Sequence, residues 1–159
     1  RAELAADPDR NQQIALDIAA ALGRGRKVLV LSRRRDHLTA LAALLPETEA
    51  LIMRGGTGAK ALAAIRERIA DTDPADPLLV MTTVPYGGEG FDAPIIDTVF
   101  LVGPISYPGL LVQAVGRALR RHEGKTHVIV HDYLDAYMPV LKSQYSRRRA
   151  AYRRMGFLE

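Results

Sequence analysis

The 159-residue sequence has no cysteine and no tryptophan, and only 6% of it is aromatic. The absence of thiols excludes disulfides, a thiolate nucleophile and a cysteine-based zinc site. The four histidines, His37, His122, His127 and His131, show none of the usual metal-ligand spacings, so no metal centre of the chain's own is expected. No apolar run approaches the roughly 18–20 residues that a membrane span needs. The opening Arg1 to Asp7 also lacks the apolar stretch of a secretory signal. The expectation is a soluble, cytoplasmic protein with no membrane partner. A shortage of hydrophobic residues is not among its deficits: 48% are hydrophobic and 25% charged, which excludes a disordered chain and supports one domain over 1–159 with a real core.

The charge is uneven. Residues 1–23 hold 2 basic and 4 acidic side chains, 24–111 hold 10 of each, and 112–159 hold 10 basic and 4 acidic. The excess of +4 therefore comes from the last third of the chain. Arginine outnumbers lysine 18 to 4, which suits planar phosphate recognition and equally suits a GC-rich genome.

Apolar periodicity orders the chain. Asp9 and Gln12 form a capping-box pattern before Ile14, Ile18 and Leu22, so the first helix is expected to run to Gly23. Val28 to Ser32 is a short continuous apolar run of the kind found in strands buried on both faces. A helix is expected from Asp36 to Leu45, stopped by Pro46, then a strand at 50–53, a helix at 60–70 and strands at 78–82, 98–102 and 127–131. Further helices are expected from Pro108 to about Arg121 and, strongly basic, from 139 to 154. Alternation of strand and helix with long connections predicts an α/β fold: a doubly wound parallel sheet with helices on both faces.

Two stretches could carry chemistry. On the helix after Pro108, Gln113, Arg117 and Arg120 are spaced i, i+4 and i+7 and share one face. Gly116 inside that helix costs about 0.5–1 kcal/mol relative to alanine, which suggests close approach to the backbone there. The second stretch runs from Thr83 through Gly87, Gly88 and Gly90 to Asp92, after a buried strand, where open α/β sheets place their ligands. Read without context, the first is a basic solvated face, and the second is equally a ligand loop or a glycine turn capped by Asp92.

Together they resemble the C-terminal RecA-like domain of superfamily 2 helicases and translocases. Gln113-x-x-Gly116-Arg117-x-x-Arg120 is similar to motif VI, Thr83 through Gly90-Phe-Asp92 to motif V, and Val28 to Ser32-Arg33 to motif IV. Gly88 to Asp92, Leu101 to Ser106 and His131 to Asp135, with the tail from Pro139 to Gly156, resemble DEAD/DEAH-type proteins related to type III restriction helicase subunits. The resemblance implies that Arg117 and Arg120 act as arginine fingers on ATP held by an N-terminal RecA-like partner domain, with Gln113 sensing the γ-phosphate or attacking water. It implies that Gly90 and Asp92 meet the nucleotide, and that Ser32, Arg33 and Thr83 hold the backbone of DNA or RNA.

The chain has no Gly-x-x-x-x-Gly-Lys-Ser/Thr and no acidic Walker B pair. Gly55-Gly56-Thr-Gly-Ala-Lys60 imitates a phosphate loop, but Ala61 stands where a magnesium-binding hydroxyl belongs. Amides at Gly55 and Gly56 could still meet a nucleic-acid phosphate, or form a plain turn. ATP and Mg2+ are thus expected mainly on the partner domain, and this chain alone is expected to be inert as an ATPase. Arg1 rather than Met opens the sequence, compatible with a piece of a longer polypeptide. The alternative is a non-catalytic nucleic-acid-binding module. The basic helix at 139–154 fits phosphate tracking and also fits a solvated amphipathic helix.

Overall fold

The computed structural model describes residues 8–53, 58–83, 95–102, 129–133 and 153. Its elements, in chain order, are α1 (Pro8–Gly23), β1 (Lys27–Ser32), α2 (Arg35–Ala43), β2 (Ala50–Met53), α3 (Ala59–Ala70), β3 (Leu78–Thr83), β4 (Thr98–Leu101) and β5 (Ile129–Asp132). The helices expected at 108–121 and 139–154 lie outside the described residues, apart from Arg153.

The five strands form one parallel sheet in the order β2-β3-β1-β4-β5. All six residues of β1 and all six of β3 are buried, as continuous apolar strands at the centre of a covered sheet must be. Register assigns the faces. Val28 pairs with Leu79 and Val30 with both Met81 and Phe100. These side chains form one core with Ile14, Ile18 and Leu22 of α1 and Leu38 and Leu41 of α2. Leu29, Leu31, Val80, Val99 and Leu101 occupy the opposite face and are buried too. This is the α/β sheet expected from the alternation of elements.

Several boundaries differ by one or two residues from those expected, and two of the differences have a local cause. Asp9 falls inside the first turn of α1 rather than capping it, because the helix already begins at Pro8, whose fixed φ suits a first helical position. Helix α2 stops at Ala43, before Pro46, with the Leu44 amide donating back to Leu41.

The lower edge of the sheet is closed by polar residues that the apolar pattern does not mark. Lys27, 4% exposed, donates from Nζ to the carbonyls of Gly25 (3.2 Å), Pro74 (2.9 Å) and Asp76. Gly25 has φ +76°, and a β-carbon there would stand 3.3 Å from the Ala75 carbonyl, so this turn requires glycine. Beside it the Asp97 carboxylate accepts from the Lys27 amide at 2.9 Å and pairs with Arg26 at 3.3 Å.

Candidate nucleic-acid interface

Parallel strands all end on one edge, and in open α/β sheets that edge carries the ligand. Here the register sets Ser32, the last residue of β1, directly beside Thr83, the last of β3. Both residues stand at the C-terminal ends of strands adjacent in the sheet order. Two residues from separate motifs are thereby neighbours. Arg33 follows Ser32 and is exposed. Gly55, Gly56, Gly90, Asp92, Gln113, Arg117 and Arg120 lie outside the described residues.

The turn between β1 and α2 carries three consecutive arginines. Arg34 has extended backbone, φ −124° and ψ 130°, and grips Asp36 with two hydrogen bonds, Nε to Oδ1 at 3.0 Å and Nη2 to Oδ2 at 2.9 Å. That guanidinium holds the exposed Asp36 carboxyl below the ordinary carboxylate range. Asp36 Oδ1 also accepts from the His37 amide at 2.9 Å, satisfying one of the orphan donors at the start of α2. Arg34, itself exposed, is thus engaged with Asp36, and Arg33 and Arg35 are exposed on either side of it.

Beneath the turn lies a line of buried polar groups. The Arg34 amide donates to Ser32 Oγ at 3.2 Å, Ser32 Oγ is 3.2 Å from His37 Nδ1, and His37 Nε2 is 3.0 Å from Asn11 Oδ1. Exposure is 1% for Ser32, 2% for His37 and 5% for Asn11. The acceptor at Asn11 assigns the imidazole proton to Nε2, leaving Nδ1 to accept from the Ser32 hydroxyl. Ser32, expected to touch the nucleic-acid backbone, has its hydroxyl turned inward onto His37, and Thr83 beside it is buried as well.

Burial, with Arg10 nearby, lowers the His37 pKa from 6.5 to about 4. The neutral ring is therefore built into the folded state. The unfolded chain takes up this proton below pH 6.5, the folded chain only near 4, so stability is complete above 6.5 and falls between 6.5 and about 4. The expected loss is about 2–3 kcal/mol, measured by urea unfolding at pH 7 and pH 4.5, and a His37→Gln chain should lose less across that interval. An equal loss in both would assign acid sensitivity to other groups.

Across the sheet, α1 is latched to the ends of β4 and β5. Arg10 Nη2 donates to the Val102 carbonyl at 3.1 Å and its guanidinium lies 6.0 Å from the Tyr133 ring centroid. The Tyr133 hydroxyl donates to Asp17 Oδ2 at 2.8 Å. Burial, with this carboxylate bond, pushes the phenol well above its ordinary range. Phe100 stacks on His131 at 4.4 Å and on Tyr133 at 6.3 Å.

Asn11 and His37 were not singled out from the sequence. His37 stands four residues before Leu41, on the buried stripe of α2. A polar residue on that stripe, five positions after a strand-ending serine, was the available signal. Among the described residues no three His, Asp or Glu side chains are grouped to hold a metal, and no helix is long and apolar enough to cross a membrane.

Known proteins share this fold. The C-terminal part of the Fun30 ATPase domain superposes with a TM-score of 0.71 at 18% identity, over 85% of this chain and 44% of that one. The ATP-dependent type ISP restriction-modification enzyme LlaBIII, bound to DNA, gives 0.67 at 19% identity, over 93% and 12% respectively. In sequence, 48 residues are 42% identical to IRC3 of Saccharomyces cerevisiae, named for an ATP-dependent helicase, covering 30% of this chain and 7% of that protein. The chain thus spans less than half the length of each. Residues 11–122, from the buried Asn11 through both strand ends to the last of the arginine-rich motif, match the helicase conserved C-terminal domain, and to that family the chain belongs.

Proposed function

We propose that this chain is the second motor domain of an ATP-dependent superfamily 2 helicase or translocase, akin to the helicase subunits of type III restriction enzymes. One observation carries the reading furthest: Ser32 and Thr83, from two motifs far apart in sequence, are register neighbours at the ligand-bearing edge. Arg33 supplies the charge, Ser32 and Thr83 form the floor of the edge, and Gly55 and Gly56 offer amides to a further phosphate. Such contacts follow the backbone of DNA or RNA and carry little base information.

The nucleotide half of the reading rests on Gln113, Arg117, Arg120, Gly90 and Asp92. ATP, with its Mg2+, is held mainly by an N-terminal RecA-like domain. Arg117 and Arg120 reach across the cleft to neutralise charge that builds up during phosphoryl transfer, as arginine fingers do. Gln113 orients water or senses the γ-phosphate, while Gly90 and Asp92 meet the nucleotide from this side. Cleft closure and opening then alter the grip on nucleic acid. With neither a phosphate loop nor a Walker B pair in its sequence, this chain is inactive by itself.

The test is ATP hydrolysis by the polypeptide of the intact reading frame, with and without DNA or RNA, beside the 159-residue chain. Polymer-stimulated turnover by the long form and none by the short one is the expected result, and the stimulating polymer identifies the substrate. An intact protein inert with every polymer would displace this reading in favour of a non-catalytic nucleic-acid-binding module.

A further inference from the structure

Most of the buried polar groups at the lower edge of the sheet close turns. The line Asn11, His37, Ser32 is different, because it ends on the turn that presents Arg33. Its three side chains come from α1, α2 and β1, and all are nearly inaccessible. The same helices, α1 and α2, give Ile14, Leu38 and Leu41 to the main apolar core. Leucine or valine would fill such positions without the desolvation that a buried imidazole, amide and hydroxyl incur, so stability alone does not explain them. What an apolar trio could not do is receive the Arg34 amide. Ser32 Oγ accepts that N–H at 3.2 Å, at the point where β1 has ended and α2 has not begun, so this donor has no strand or helix partner. His37 fixes the Ser32 rotamer from below, and Asn11 fixes the imidazole from the far side.

We infer that His37, held by Asn11, is a positioning residue for nucleic-acid binding: through Ser32 it locks the β1–α2 turn so that Arg33 stands ready for a backbone phosphate. The lock lowers the conformational freedom lost when Arg33 engages its ligand. This inference rests on the proposed role of Arg33 as a phosphate contact.

The test uses the intact protein and a fluorescein-labelled single-stranded oligodeoxynucleotide, with its RNA counterpart, read by anisotropy over a range of salt. Arg33→Ala should weaken binding about tenfold and lower the slope of log K against log salt by about one, as loss of one phosphate contact does. His37→Leu should reproduce both changes, and the double variant should be no weaker than either single one, because the two residues act through one contact. His37→Asn keeps an acceptor near the Nδ1 position and should recover most of the affinity. If His37→Leu fails to fold, Ser32→Ala removes only the hydroxyl and should show the same loss and the same non-additivity with Arg33→Ala.

A residue that merely supports the fold would leave the salt slope unchanged, or give losses that multiply with Arg33→Ala. Either result overturns the positioning role while leaving Arg33 as a phosphate contact. No effect of Arg33→Ala, or no binding by the unmodified protein, removes the Arg33 reading and the inference with it.

Discussion

Replacing Arg117 by alanine in the intact protein is expected to lower polymer-stimulated ATP turnover by about 10³-fold or more, the range in which an arginine finger contributes. Nucleic-acid affinity without nucleotide should stay within about threefold, since one guanidinium directed at the γ-phosphate contributes nothing to the phosphates of the polymer. Arg117→Lys should restore little. A lysine keeps the charge but lacks the planar fork that meets two phosphoryl oxygens together, and its stem places that charge differently. Because Arg120 and Gln113 share the face of Arg117 in the sequence pattern, the three should act as a unit, and double replacement should fall well short of the product of single losses. Rapid-quench or coupled ATPase assays with saturating DNA or RNA provide the measurement. Turnover within tenfold of the parent would remove Arg117 from the hydrolytic machinery. A variant that loses nucleic-acid binding instead would support the non-catalytic module.

The second large effect is structural. Lys27→Met keeps a long apolar stem in place but withdraws the ammonium from the carbonyls of Gly25, Pro74 and Asp76. Three acceptors at the lower edge of β1 and β3 then lose a common donor in a site only 4% exposed. A single buried acceptor left unmet costs about 1–3 kcal/mol. Three that share one donor and relax partly towards water should cost about 3–4 kcal/mol together. For a domain of this size that is a fall of about 8–14 °C in Tm. Urea unfolding should show a lower midpoint with an unchanged slope, the mark of lost stability without a changed denatured state. A loss below about 1 kcal/mol would mean that water takes over the three carbonyls. The site at the opposite edge of the sheet should be unaffected in affinity below the new Tm.

The elements of the fold were legible because their causes are local. Val28 to Ser32 and Leu78 to Thr82 are apolar runs too short for helices, and both are buried central strands, the first opening one residue earlier at Lys27 and the second extending by one residue to Thr83. The stripe of Ile14, Ile18 and Leu22 marked the inner face of α1 at helical spacing, and those three side chains are in the core. Family membership was legible for a related reason: its motifs are short, ordered along the chain and rich in glycine and arginine. The end of α2 was less legible. Pro46 forbids a helix beyond it, but the turn that closes at Leu44 depends on where Leu45 must be buried.

Lys27 and His37 show what local pattern does not contain. Lys27 reads as a charge before a strand and is buried because the loop at 74–76, nearly fifty positions on, brings carbonyls to it. His37 reads as one polar residue on an amphipathic helix and becomes the middle of a buried line because Asn11 faces it from α1. Burial and hydrogen bonding are properties of pairs, and in both cases the partner lies far away in sequence. By itself, the sequence determined the alternation of elements, the family and the residue types available for phosphate chemistry, since these follow from composition and short-range spacing. Only the tertiary structure decided that Ser32 and Thr83 are neighbours, that the serine hydroxyl faces inward and that Arg33 is an exposed charge next to Ser32. Strand register and the packing of α1 on α2 set those relations, and both come from side chains meeting across the sheet.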